Sequence, residues 1–98
     1  MPFPEVPMAR SSAQRRLVYL ASRRAMAEME RILHRFLVRE LTELDDGQCQ
    51  RLESLLNRAD ADLMDWMAGL KPMPDDLEAD LLARLMVHSR EEGMAVGE

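Results

Sequence analysis

Cysteine is nearly absent. Cys49 is the single one in 98 residues, so no internal disulfide can form. One thiol fits a reducing compartment. Aromatic residues are limited to Phe3, Tyr19, Phe36 and Trp66, and the β-branched aliphatics to Ile32 and five valines, which leaves little material for strands. No apolar run approaches the roughly 18 residues that a membrane span needs, and no apolar stretch of the kind found in secretory signals is present. The four glycines, Gly47, Gly69, Gly93 and Gly97, are too dispersed for a loop that cradles phosphate. His34, His88 and Cys49 are scattered without metal-ligand spacing. No serine stands in a nucleophile-elbow context. The familiar enzyme signatures are therefore missing, and a protein that acts by binding rather than by catalysis is expected.

What is abundant is helix-forming. Leu, Met and Ala dominate the apolar residues, with nine methionines, and 32% of the chain is charged. At this length one domain is expected, all-α, as a compact five-helix bundle over 11–90, with a disordered arm over 1–10 and a disordered tail over 91–98. The arm holds Pro2, Pro4 and Pro7 and has no period; the tail is polar and contains two glycines. Net charge is −5. Residues 1–39 hold eight Arg against three Glu, and the acidic excess lies beyond them. That asymmetry has two readings: the halves neutralise each other in the fold, or a basic face is offered to an acidic partner.

Periodicity and capping signals place the helices. The first spans 12–22, with Ser11 and Gln14 at capping-box spacing and Ala13, Leu17, Leu20, Ala21 and Arg24 on one face. The second spans 24–40, with Met26, Met29, Leu33, Phe36 and Leu37 as its apolar stripe. The third starts at Asp45, with Gln48 completing a capping box, buries Cys49, Leu52, Leu55 and Leu56, and ends near Asn57. The fourth runs from Asp60, read as its cap, to Ala68, with Gly69 as the stop, and turns Leu63, Trp66 and Met67 inward. The fifth starts at Asp75, carries Leu77, Leu81, Leu82 and Leu85, and frays past His88. His34 and His88 are expected at the surface or rim, and Cys49 in the core. The Arg- and Ser-rich stretch 10–24 has the composition of a mitochondrial transit peptide, but the helical pattern uses those same residues.

The second helix has a face that cannot be its core face. At 100° per residue, Arg24, Glu28, Arg31 and Arg35 cluster opposite Leu33, with Ala25 and Ile32 flanking them. As an ion pair, Arg24 with Glu28 has the weaker order, and an arginine in a first turn opposes the helix dipole. Stability does not favour this arrangement, whereas arginine at an interface offers bidentate and stacked contacts. A binding face is therefore expected.

The stretch Arg23-Arg24-Ala25-Met26-Ala27-Glu28 resembles the Arg-Gly-x-x-Glu signature of the succinate dehydrogenase assembly factors that promote covalent flavin attachment. Leu33, Phe36, the pair Asp45-Asp46, and Leu81, Leu82 and Leu85 fit the same pattern. So does the segment Asp60-Ala61-Asp62-Leu63-Met64-Asp65-Trp66-Met67-Ala68-Gly69. The resemblance covers about 12–88. It implies a five-helix bundle that binds the flavoprotein subunit of succinate dehydrogenase, or of fumarate reductase, and assists the bond between FAD and a histidine of that subunit, without holding FAD stably itself. The residues expected to meet the partner are Arg23, Arg24, Ala25, Glu28, Arg31, Ile32 and Arg35. Where the family has glycine this chain has Ala25, which puts the closeness of that contact in question. The protein is expected to be a monomer when free, to work in the bacterial cytoplasm or alternatively the mitochondrial matrix, and to insert into no membrane and bind no nucleic acid. The alternative function is a small helical nucleic-acid-binding or antitoxin-type regulator.

Overall fold

A computed structural model describes residues 6–97, with side chains described from 6 to 89. The elements are α1 Ser12–Ala21, α2 Ala27–Glu40, a 3-10 turn Leu41–Glu43, α3 Asp46–Leu56, α4 Asp60–Met67 and α5 Ala79–Gly97. The described residues contain no strand, and the all-α, five-helix expectation holds. The arm expected over 1–10 lies outside the described residues as far as residue 5; its described part is non-helical, and Val6 packs against the core.

α1 lies on α3 and α2 lies on α5, so the core is a single cluster drawn from every helix. Leu17, Ala21, Met29, Leu33, Phe36, Leu37, Leu52, Leu55, Leu63, Leu81, Leu82 and Leu85 are all essentially closed to solvent. The 3-10 turn, absent from the sequence reading, adds Leu41 and Leu44. Its backbone is held by Gln14, whose side-chain nitrogen donates to the carbonyls of Leu41 (3.1 Å) and Leu44 (3.0 Å). The other end of the Gln14 amide accepts from the Arg10 N–H at 2.8 Å, so all three bonds of one buried side chain tie the chain's start to the α2–α3 corner. Gln14→Ala is expected to cost about 1–3 kcal/mol, because it leaves the buried Leu44 carbonyl without this donor and the Leu41 carbonyl with the Leu44 N–H alone. A loss under about 0.5 kcal/mol in urea melts would mean that water replaces the amide.

Local signals placed some helix ends well. Ser11 caps α1 through the Gln14 N–H, and Asp45 with Gln48 forms the complete capping box of α3. Gly69, at φ 74°, closes α4 in a Schellman motif, with Leu70 N–H on the Asp65 carbonyl (2.8 Å) and Gly69 N–H on that of Trp66 (3.2 Å). Other ends moved. α2 starts at Ala27 rather than 24, and Asp60 is the first residue of α4 rather than its cap, which is Ala59. α5 starts at Ala79 rather than 75. Pro72 and Pro74 bias the preceding backbone to extended conformations. A turn from Pro74 to Leu77 (3.2 Å) intervenes before the Glu78 carbonyl takes the first helical bonds from Leu81 and Leu82. The acids at this entry are held by arginines: Asp76 by Arg58, and Glu78 and Asp80 by Arg51. α5 runs from Ala79 to Gly97. No proline interrupts that stretch, and a single internal glycine costs a helix only about 1 kcal/mol.

His88 corrects the expectation of a rim position: it is 3% exposed. Its ring stands edge-on to Phe36, with centroids 5.6 Å apart, and its Nε2 lies 2.9 Å from Glu40 Oε2. Arg84 holds the other oxygen of Glu40. His34 is half-buried. Cys49 is in the core as expected, and burial, followed by the nearby Asp46 and Asp45 carboxylates, pushes its thiol up.

Burial by itself would raise Glu40, but the hydrogen bonds from His88 and Arg84 outweigh it and hold the carboxyl below its ordinary 4.5. A depressed carboxyl stabilises the fold fully above its unfolded value and loses that contribution as pH falls through the folded value. Wild type is therefore expected to lose stability more steeply than Glu40→Gln on acidification below about pH 4.5. Parallel pH–stability curves for the two would show that Glu40 carries no such linkage.

Candidate functional site

α1 closes at Ser22, whose hydroxyl donates to the Tyr19 carbonyl at 2.8 Å, and the chain then runs without helix through 23–26. Arg24 fixes this connection. Its Nε donates to Asp60 Oδ1 (2.7 Å), one terminal nitrogen to the Leu56 carbonyl (2.8 Å) and the other to the Arg58 carbonyl (3.2 Å). Asp60 uses its second oxygen to accept the Met26 N–H at 2.9 Å. Met26 is the N-cap residue of α2 and has no side-chain cap bond of its own, so α2 is capped from α4.

The electrostatics agree with the hydrogen bonds. Arg24 lies on carbonyls at the C-terminal end of α3, where the helix dipole favours a cation. Asp60 occupies the first position of α4, where it favours an anion. The two side chains are 8% and 3% exposed. A guanidinium with three acceptors and a carboxylate with two donors form a satisfied buried pair rather than a surface ion pair.

This arrangement changes the expected binding face. Arg24 does not pair with Glu28 and does not reach the surface. Glu28 pairs instead with Arg31 at 2.8 Å. Ile32, expected to flank the face, is 0% exposed and belongs to the core. α2 is covered from several sides, so its buried residues, from Met29 through Ile32, Leu33 and Phe36 to Leu37, span an arc of about 140°, wider than the stripe centred on Leu33. Met26, placed in that stripe by the sequence, is 36% exposed.

Arg23, Ala25, Glu28 and Arg31 remain at the surface. Arg35 is half-buried and donates from Nε to the His88 carbonyl at 3.2 Å. The structure therefore brings Arg23, Ala25, Met26, Glu28 and Arg31 to one edge, with Arg24 as the bolt behind it. Two participants escaped sequence reasoning. Asp60 was read as a local cap, although an arginine preceding a helix without a capping residue is a signal that a distant acid is needed. Tyr19, 57% exposed, was not singled out; the Arg23 guanidinium lies 5.1 Å from its ring centre.

The edge presents a cation, a carboxylate and a methionine on a fixed backbone, a set suited to protein contact. Among the described residues, no group of three or more His, Cys, Asp and Glu side chains is placed to hold a metal ion, and no helix is long and apolar enough to cross a membrane. The two halves of the chain do neutralise each other in part, through Arg16 with Glu53 (2.6 Å) and Arg24 with Asp60.

Comparison with known proteins gives one consistent answer. The family described as flavinator of succinate dehydrogenase matches residues 15–89. Succinate dehydrogenase assembly factor 2, mitochondrial, of Drosophila grimshawi is 29% identical over 94 residues, covering 90% of this chain and 64% of that protein. The protein of the same name from Mycosarcoma maydis is 30% identical over 94 residues, 90% of this chain and 40% of the relative. That from Culex quinquefasciatus is 31% identical over 75 residues, 74% of this chain and 47% of the relative. The chain thus spans less than two thirds of the length of these relatives. No solved structure matches it.

Proposed function

The chain belongs to the family of succinate dehydrogenase flavinators, and we propose that it binds the flavoprotein subunit of succinate dehydrogenase, or of fumarate reductase, and promotes covalent attachment of FAD to it. The observation that carries this reading is the family match over 15–89, which spans the whole clamped edge and its anchor Asp60. The work asked of a bundle this small is positional. Holding an acceptor side chain against the cofactor can lower a barrier by several kcal/mol without any group supplied by the assistant. Docking to the flavoprotein state in which that geometry exists would raise its population in proportion to the difference in affinity.

On this reading the protein is not an enzyme, FAD belongs to the partner, and the free bundle is a monomer. The compartment is the cytoplasm of a bacterium, with the mitochondrial matrix as the alternative; the relatives named above are mitochondrial. The regulator reading has less behind it: Arg16, Arg24 and Arg31 each engage a carboxylate, and the chain's net charge is −5.

The test pairs a pull-down with a readout of covalent flavin. Wild type is expected to recover the flavoprotein subunit and to raise its flavin fluorescence in a denaturing gel. Arg23→Ala/Glu28→Ala, which spares the buried pair, is expected to lose both. Absence of any flavoprotein in the wild-type sample would sink the reading, and so would tight binding of free FAD to the bundle in calorimetry. Ala25 is exposed and lies outside α2, so Ala25→Gly is expected to shift stability by less than about 1 kcal/mol. Any change it makes in recovery then reports on the contact itself.

A further inference from the structure

α1 buries Gln14, Leu17 and Ala21 against its neighbours. The opposite face, from Arg15 through Tyr19 and Ser12 to Arg16, spans an arc of about 100° and is exposed throughout. Two arginines at this face differ from most others on the molecule. Arg16, Arg24, Arg51, Arg58, Arg84 and Lys71 each engage a carboxylate. Among the described residues Arg15 and Arg23 have none. Arg15 donates only to the Ser12 hydroxyl, at 3.2 Å, and Arg23 lies over Tyr19. Arg15 lies near the start of α1, where the helix dipole disfavours a cation, and the first turn holds no acid to offset it. Tyr19 is 57% exposed, while Phe36 and Trp66 are buried. An exposed aromatic with one guanidinium stacked on its ring and another one turn away on the same helix face is the composition of an interface anchor.

We propose that the solvent face of α1, built on Arg15, Tyr19 and Arg23, docks an acidic surface of the flavoprotein partner. The inference rests on the function proposed above and extends its contact surface beyond the edge at 23–31. The occupant follows from local charge: an approaching surface meets two guanidinium groups not neutralised by carboxylates, and within a Debye length of about 8–10 Å these, rather than the chain's net charge of −5, set the preference for an acidic surface. Continuity supplies the second argument, because Arg23 belongs to the clamped edge and stacks on Tyr19, so the two patches form one surface. Tyrosine supplies the apolar area that a purely electrostatic contact lacks. Nucleic acid is the less favoured occupant, since two guanidinium groups and no lysine on this face are too few to follow a phosphate backbone.

The experiment measures the affinity of the purified flavoprotein subunit for three forms of the full chain at low and moderate salt. These are wild type, Arg15→Glu/Tyr19→Ala, and Gln50→Glu/Ala83→Glu, which makes the same change in charge at exposed positions on α3 and α5. Wild type is expected to bind with a Kd that rises with salt. The α1 variant is expected to bind about tenfold or more weakly, with less salt dependence, and the control to bind like wild type. Circular dichroism checks that the variants fold, and Arg15→Glu alone, at an exposed position, serves as the second variant. Equal affinity of wild type and the α1 variants, with covalent FAD still raised, would overturn the docking face and leave the proposed function standing. No binding by wild type removes both. Salt-dependent retention of wild type on DNA that the α1 variant loses would overturn the protein occupant in favour of nucleic acid.

Discussion

Asp60→Ala is expected to lower the unfolding free energy by about 3–5 kcal/mol, the range for removing one partner of a buried ion pair. Asp60 is buried, and three interactions fail together when its carboxylate is removed. The Arg24 guanidinium loses its counter-charge, its Nε loses an acceptor at 2.7 Å, and the Met26 N–H at the start of α2 loses its cap. What remains is a cation 8% exposed, facing only the Leu56 and Arg58 carbonyls. A domain of this size has on the order of 5–15 kcal/mol of total stability, so much of it would go. Urea denaturation of wild type, Asp60→Ala, Arg24→Met and the double variant provides the check. The double variant is expected to lose less than the sum of the singles, because no uncompensated charge is left inside. A cost under about 1 kcal/mol for Asp60→Ala, the value of an exposed pair, would show that the clamp opens to water.

Phe36→Ala is expected to cost about 3–5 kcal/mol as well, for a different reason. The ring is 1% exposed and fills the seam where α2 meets α5. His88 meets it edge-on, and the Arg84 guanidinium lies 5.8 Å from its centre. Truncation leaves a void beside the Glu40, Arg84 and His88 cluster, whose members hold one another through hydrogen bonds and cannot move into it freely. Thermal unfolding is the measurement. A loss near 1 kcal/mol would mean that the seam collapses on itself, which the fixed geometry of the cluster argues against.

Where the sequence carried its own caps, it could be read to the residue. The Asp45 and Gln48 box and the Ser11 cap are complete within four positions, and the apolar set Cys49, Leu52, Leu55 and Leu56 is the buried face of α3. The ends that shifted depend on partners far along the chain. α2 begins at Ala27 because its cap comes from Asp60, 34 residues on from Met26, and the α5 entry is held by Arg51 and Arg58 from α3 and the link that follows it. Neither dependence leaves a periodic trace. His88 follows the same logic: its burial needs Glu40, 48 residues away, and polarity alone suggested the rim. For the candidate site, the motif residues were found but their roles divided. The helical wheel gave Arg24 and Glu28 one face because it assumed one helix, and Ile32 was assigned to an edge because α2 was credited with one covered side instead of several.

The bolt formed by Arg24 and Asp60 also sets what kind of epitope this edge is. A synthetic peptide covering 12–35 would carry Arg15, Tyr19, Arg23, Ala25, Met26, Glu28 and Arg31, yet it would lack Asp60 and the Leu56 and Arg58 carbonyls that shape the turn. The proposed docking surface is therefore conformational: its residues are near neighbours in sequence, but their arrangement is held by a part of the chain more than thirty positions from Arg24. It cannot be transplanted as a linear tag, and a competitor or antibody raised against the short peptide would be directed at a shape that the folded protein does not display.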